Sequence, residues 1–177
     1  VRIELGKPDF PDAPSLWSVL EGRRSKRNFL ERPMTLNQLN VLLWATQGIT
    51  ADMGDYQLRT APSAGALYPL EIYAVTAEGI FLYEPEEHHL AVMSRDDAHA
   101  SLYKAALSQE AVRQAPVVFV VTAVYERTAQ KYGDQRSPRY VHLEAGHAAQ
   151  NLLLQAVALK LGAVPIGAFH DEEVQAA

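Results

Sequence analysis

Among the 177 residues there is no cysteine, which excludes a disulfide framework, thiolate catalysis and every thiolate metal site. No uninterrupted apolar run reaches the ~18 residues that a membrane-spanning helix requires. The first residues also lack the basic-then-apolar pattern of a secretory signal. A cytoplasmic protein that engages no membrane is the expectation. Positive charge is not in excess either: 16 Lys and Arg against 21 Asp and Glu leave a net charge of -5 and a pI near 5.7. No global field therefore draws in nucleic acid. Neither a Gly-Lys phosphate loop nor the Gly-x-Gly-x-x-Gly of a dinucleotide fold occurs in the sequence, and internal repeats, low-complexity tracts and linkers are missing as well.

What is present is material for a core. At 48% hydrophobic, residues 1–177 suffice for a single domain. The chain begins with Val1, and its last apolar strand candidate closes shortly before Ala177, a pattern consistent with trimming at both ends. Ser15 to Arg24 reads as a short helix with a basic cluster at its end. Thr35 and Gln38 form a capping-box signature before Leu39, Leu42 and Leu43, and Gly48 closes that helix. Residues 70–77, 79–83 and 89–93 read as strands, and 96–107 as a helix opened by acidic residues. Residues 115–124, apolar on both faces and β-branched, predict a central buried strand. The longest helix is expected over 138–161, apolar nearly all round and so buried on most sides. Residues 163–169 would be a further strand or extended segment. Helices mixed around one sheet give an α+β or α/β class.

Three stretches carry candidate chemistry. Arg23, Arg24, Lys26 and Arg27 crowd around Ser25 on an otherwise acidic chain. Arginine forks and a hydroxyl suit phosphate oxygens, whereas a solvated charged face explains the run equally well. In the Pro62-Ser63-Ala64-Gly65 turn, proline fixes its own φ and glycine reaches angles closed to other residues, so backbone can approach a flat or anionic ligand. The Val164-Pro165-Ile166-Gly167-Ala168 stretch offers backbone amides on an irregular segment. On the long helix, Tyr140, Glu144, His147 and Asn151 share one face. Glu144-x-x-His147 matches a di-iron spacing, but its required partners are not in the sequence, so no metal is expected. Gly146 suggests close approach of another backbone, and a buried hydrogen-bond network explains Glu144 and His147 as well as catalysis does.

Taken together and in this order, "RRSKRNF", "PSAGALYPLEIY" and "LEAGHAAQNLLLQAVALKLGAVPIGAF" resemble the FMN-dependent nitroreductase family, with most likeness to its SagB-type branch, which includes azoline dehydrogenases. The resemblance implies an α+β fold with a central, mostly antiparallel sheet flanked by helices. It also implies an intertwined homodimer binding FMN at two sites built from both subunits. Arg23, Arg24, Ser25 and Arg27 match the phosphate-binding start. Pro62, Ser63 and Ala64 match the loop reaching the flavin from the other subunit, and Pro165, Ile166, Gly167 and Ala168 match the segment whose amides face the flavin edge. Ala66 and Tyr68 depart from the residues common in many nitroreductases but suit the SagB-type branch. Gly167 stands where a glutamate is common, and the basic residue that a last segment brings back to the phosphate has no counterpart before Ala177.

The activity implied is an FMN-dependent oxidoreductase passing a hydride from NAD(P)H to a small organic acceptor with ping-pong kinetics. Alternatives are an azoline dehydrogenase acting on thiazoline or oxazoline rings in peptides, and a non-catalytic partner-binding module of the same fold. Lys131 and Tyr132 resemble the lysine-tyrosine pair assigned to proton removal in the azoline dehydrogenases. A solvated loop before the long helix is the plain reading of that pair.

Overall fold

The computed structural model of the protein describes residues 1–9 and 13–177. The capping box expected from Thr35 and Gln38 forms in both directions: Gln38 N–H donates to Thr35 Oγ1 at 3.2 Å, and Thr35 N–H donates to Gln38 Oε1 at 2.9 Å. It opens α2, Leu36–Gln47, a helix with no charged residue that buries Leu39, Val41, Leu42 and Leu43. A seven-residue helix, α1 (Leu16–Gly22), precedes it, capped by Ser15.

A five-stranded antiparallel sheet forms the middle layer. Its strands are β1 (Arg2–Glu4), β4 (Leu70–Thr76), β5 (Gly79–Glu84), β6 (His89–Ser94) and β7 (Val118–Ala123), in the order β1-β6-β5-β4-β7. Tight connections join β4, β5 and β6, as their alternating apolar pattern requires. A separate two-stranded hairpin, β2 (Ile49–Asp52) with β3 (Gln57–Arg59), leads out of α2.

Strand alternation separates two cores. One face of the sheet presents Leu70, Ile72, Ala74, Phe81, Tyr83 and Leu90 to Leu39 and Leu43 of α2 and to Val141 and Ala148 of α6 (Ser137–Ala158). The other face packs Val75 against α3 (His99–Ala105) and α4 (Glu110–Gln114), through Ala98, Leu102, Ala106 and Val112. Val174 of α7 (Asp171–Ala176) joins this second cluster, as does Ile166. Burying each large side chain contributes ~1.5–3 kcal/mol. Buried Asn40 on α2 ties the chain start to the β5–β6 turn. Its Nδ2 donates to Leu5 O at 2.8 Å, and its Oδ1 meets His88 Nε2 at 2.7 Å.

Several expectations are corrected. The segment read as a central strand is β7, shorter than predicted and at the edge of the sheet; all six of its residues are half-buried, and it pairs with β4 alone. Apolar residues on both faces signalled cover, and a single chain supplies only part of it. Likewise α6 buries one stripe, Val141, Glu144, Ala148 and Ala156 after Ser137, while Leu143 is 54% exposed. A Cβ on Gly146 would meet nothing within 4 Å, so among the described residues no other backbone approaches it. The helix expected over 96–107 begins at His99, whose N–H bonds Asp97 Oδ1 at 2.9 Å, and α4 follows it separately. Residues 163–169, expected as a strand or an extended segment, form no strand and make one parallel bridge, Ala163 to Ser25.

Removing the α2 cap is expected to be felt by the whole fold, because this helix packs against both the sheet and α6 in one core. Thr35→Ala should cost about 1 kcal/mol and Thr35→Ser much less. Urea denaturation would read this as a lower midpoint with an unchanged slope.

Candidate functional site

The basic segment begins where α1 stops. Arg23 N–H closes the helix on Val19 O at 3.0 Å, and the chain turns extended, φ -62° and ψ 121° at Arg23. Ser25 then bridges Ala163 in parallel, with Lys26 N–H donating to Ala163 O at 2.9 Å. Close packing holds this junction: the Cβ position of Gly22 lies 3.5 Å from Val157 Cγ1, and that of Gly162 lies 3.1 Å from Lys26 Cβ. Two candidate stretches distant in sequence, 23–27 and 163–168, are therefore neighbours at the C-terminal end of α6.

The charges there are uncommitted. Arg2, Arg59, Arg113 and Arg127 each pair with a glutamate. Among the described residues no carboxylate pairs with Arg23, Arg24, Lys26 or Arg27. Arg24 donates from Nη1 to Glu21 O and Arg23 O, at 2.9 and 2.7 Å, which satisfies carbonyls at the α1 end. Arg23 is half-buried; Ser25, Lys26 and Arg27 are exposed. Across the bridge, Ile166 is anchored in the second core, Pro165, Gly167 and Ala168 are exposed, and the space a Gly167 side chain would take is empty to 4 Å. Ala168 O accepts from Gln109 Nε2 at 3.0 Å, and His170 N–H bonds Ala105 O at 2.9 Å, so this exposed backbone is held from both ends. A groove of about 530 Å³ between Pro14, Ser18 and Val19 on one side and Val157 and Lys160 on the other adjoins the junction.

The proline-glycine turn sits elsewhere. Gly65 (φ 66°), Ala66 (φ 54°) and Tyr68 (φ 44°) are all left-handed, which is unfavourable for the two non-glycine residues. Ser63 Oγ accepts from Tyr68 N–H at 2.9 Å, and Ala66 N–H bonds Ser63 O at 3.1 Å. The base of the turn is fixed by Thr60, whose N–H bonds Gly48 O at 2.9 Å and whose O accepts from Asn151 Nδ2 at 3.2 Å. Against Gly65 stand Lys131 and Tyr132: its Cβ position would be 3.0 Å from Lys131 Nζ and 3.2 Å from Tyr132 Oη. Both belong to a helix, α5 (Tyr125–Tyr132), not to the loop that its polar sequence suggested. Tyr132 also meets Tyr140 of α6, ring centroids 4.5 Å apart.

Behind the turn lies Glu144, 2% exposed. It accepts from Gln47 Nε2 at 3.3 Å. Burial raises its pKa above the usual carboxylate value, offset in part by the neighbouring Ser63 and Gln47 side chains and by the charges of Arg59 and His147. The polar stripe thus divides: Glu144 is buried, Asn151 and Tyr140 are half-buried against Thr60 and Tyr132, and His147 is exposed. Among the described residues no cluster of three ligating side chains could hold a metal. Sequence reasoning missed Gln47 and Arg59. Gln47 closes a helix that is otherwise buried, and an amide in that position was the available signal. Arg59 lies 4.5 Å from the Tyr68 ring centroid and pairs with Glu86 at 2.6 Å.

The two assemblies lie along different parts of α6. Glu144 backs the turn and Val157 backs the basic segment, and at the rise of an α-helix these residues are about 20 Å apart along its axis.

Comparison with known proteins places this geometry. The family model described as Nitroreductase family matches residues 20–177. A Methanocaldococcus jannaschii protein provisionally named a nitroreductase is 42% identical over 98% of this chain and 88% of its own. The crystal structure of a provisionally named nitroreductase from Ralstonia eutropha superposes with TM-score 0.86 at 28% identity, covering 99% of this chain and 80% of that one. A third, from Desulfovibrio desulfuricans and solved in complex with FMN, shares the fold, with TM-score 0.60 at 22% identity over 89% of this chain and 70% of that one.

Because burial raises the Glu144 pKa, the group's contribution to stability is fully present below the ordinary carboxylate value and is lost as pH rises through the raised one. Glu144→Gln cannot ionise. Its melting temperature relative to the unsubstituted protein is expected to climb over that window, and parallel melts from about pH 4 to about pH 8 would show a flat difference if the carboxylate titrates normally.

Proposed function

From a chain that belongs to the nitroreductase family, we propose an FMN-dependent oxidoreductase that works as a homodimer, each site drawing on both copies. The observation that carries this is the separation of the two assemblies by α6. One copy offers unpaired cations and open backbone amides at the C-terminal end of this helix and a tightly turned loop farther along it. Packing two copies with their α6 helices antiparallel would set the loop of each over the basic junction of the other. Leu16, Trp17 and Leu20 of α1, 50% to 76% exposed, and Leu143 of α6 are apolar surface that such packing would cover.

The residues fit the cofactor. Arg23, Ser25 and Arg27, with the remaining donors of Arg24, supply charge-assisted hydrogen bonds suited to a phosphate, and among the described residues no carboxylate pairs with them. The empty space at Gly167 leaves room for a flat ring against backbone. The amides of Gly167 and Ala168 would donate to its electron-rich edge and stabilise negative charge there, with Pro165 and Ile166 setting the segment's path. Pro62, Ser63 and Ala64 would cover the ring from the partner side and exclude water. FMN, when bound, supplies hydride transfer between a nicotinamide donor, NADH or NADPH, and a small organic acceptor. With donor and acceptor using one open face in turn, ping-pong kinetics follow.

One observation favours a second reading. Lys131 and Tyr132 crowd Gly65 of the covering loop, where they could take the proton that an azoline ring in a peptide loses when a hydride leaves it for the flavin. The ring is oxidised to its aromatic form, so the two transfers balance. This is the azoline dehydrogenase version of the same enzyme.

The purified protein is expected to be yellow and to bleach anaerobically with NADPH. A colourless protein that takes up no added FMN overturns the reading. Replacing Arg23 and Arg27 together by alanine should weaken FMN binding at least tenfold in fluorescence titrations, since a hydrogen bond to a charged group contributes ~1.5–3 kcal/mol. Lys131→Ala separates the two versions. Azoline oxidation lost while NADPH-driven dye reduction persists supports the second, and neither activity changing removes Lys131 from the chemistry.

A further inference from the structure

A cleft of about 400 Å³ is lined by the start of β4, the end of β5, Tyr68, the Pro85-Glu86 turn and Arg127. Gln47 and Arg59 line it too, and they start from one corner of the fold, because Arg59 pairs with Ile49, two residues beyond Gln47, across the β2–β3 hairpin. Each has one buried polar atom with nothing to bond. Gln47, 1% exposed, gives Nε2 to Glu144 at 3.3 Å and leaves Oε1 without a donor. Arg59 gives Nη2 to Glu86 at 2.6 Å and leaves Nε without an acceptor. Buried polar groups are ordinarily satisfied, so an acceptor and a donor left over in one cleft describe an occupant that carries one of each.

The arginine is held ready. Its side chain is 11% exposed, its guanidinium lies 4.5 Å from the Tyr68 ring centroid, and its backbone N–H donates to the Tyr68 hydroxyl at 3.0 Å. Nε–H and one Nη2–H point along the same edge of a guanidinium, the edge that takes both oxygens of a carboxylate. Glu86 uses half of that edge. It sits in the β5–β6 connection with 56% of its side chain exposed, more than Glu71 or Glu84 in the same cleft. Glu71 is tied to Arg127 at 2.7 Å, and Glu84 contacts His89 Nε2. Glu86 is therefore the carboxylate that can swing into water at little cost.

We propose that this cleft binds a free α-amino acid. Its carboxylate replaces Glu86 on the Nε–Nη2 edge of Arg59, its ammonium donates to Gln47 Oε1, and an apolar side chain lies against Leu67, Leu70 and Leu82. A simple anion fits less well. The lining sets Arg59 and Arg127 against Glu71, Glu84 and Glu86; a zwitterion leaves that balance unchanged, whereas an anion adds to its negative excess. The volume is within the usual range of small-molecule sites. This site is separate from the basic junction at the end of α6 and needs no flavin.

The test is isothermal titration of the full chain with L-leucine. Saturable binding is expected with a Kd on the order of 1 mM or below, which a few polar contacts give a ligand of this size. N-acetyl-L-leucine lacks the ammonium and isoamylamine the carboxylate, so each should bind at least about tenfold more weakly. Arg59→Gln should weaken L-leucine binding by about the same factor. Glu86→Gln removes the competing carboxylate and should tighten it about threefold, the worth of a partly exposed ion pair. Equal binding of the three ligands, no change in Arg59→Gln, or unchanged or weaker binding in Glu86→Gln overturns the proposal. Absence of binding to both the unsubstituted protein and Glu86→Gln overturns it as well, the two unpartnered atoms then being served by water alone. Should Arg59→Gln fail to fold, Glu86→Gln and the three ligands decide: tighter L-leucine binding with the same ranking upholds the site, and any other pattern overturns it.

Discussion

Helix α6 is a rigid spacer, and the rest of the structure takes its positions from it. Its 22 residues run roughly 33 Å at the usual rise, pressed against α2 and the sheet by Val141 and Ala148. A helix of that length cannot bend to bring its ends together. Whatever Glu144 supports and whatever Val157 supports are therefore held apart at a fixed distance and orientation. That fixed offset is what a site assembled from two identical chains needs, because a small error at one end would be repeated at the other.

The two assemblies differ in physical character. At the C-terminal end of α6 the side chains of residues 23–27 are charged and mostly exposed, and among the described residues no carboxylate pairs with them. At the Glu144 end the side chains are bonded to one another, and the unfavourable feature is the backbone, left-handed at three positions of the turn. One end gains affinity from unspent charge, the other shape from a restrained loop. Four cations elsewhere, Arg2, Arg59, Arg113 and Arg127, are paired with glutamates.

Much of this was legible from residues alone. The Thr35 box, the strands over 70–76, 79–84 and 89–94, and the long helix were readable because each is decided by local chemistry or by a regular apolar period. Position in the layers was less so. β7 reads as central because both its faces are apolar, yet the composition of a strand reports the cover it eventually receives, not which chain provides it. Helix α5 has few apolar residues, so its periodicity is weak, and Lys131 and Tyr132 looked like loop. Gln47 was invisible for a different reason: a single amide in an apolar helix acquires meaning only when its partner, nearly a hundred residues later, is known. The grouping of 23–27 with 163–168 was available only through the family resemblance and that of 62–66 with 131–132 only from the structure, since the contacts themselves are long-range.

The free margin of β7 carries a further implication. Among the described residues that strand has a neighbour on one side only, and its Val-Phe-Val-Val-Thr-Ala sequence contains no lysine, no proline and no bulge, the devices by which sheet margins ordinarily repel strangers. A solitary copy would thus present a sticky template, prone to recruit any passing extended peptide and to drive precipitation. Whatever covers that margin would therefore matter for solubility as well as for shape.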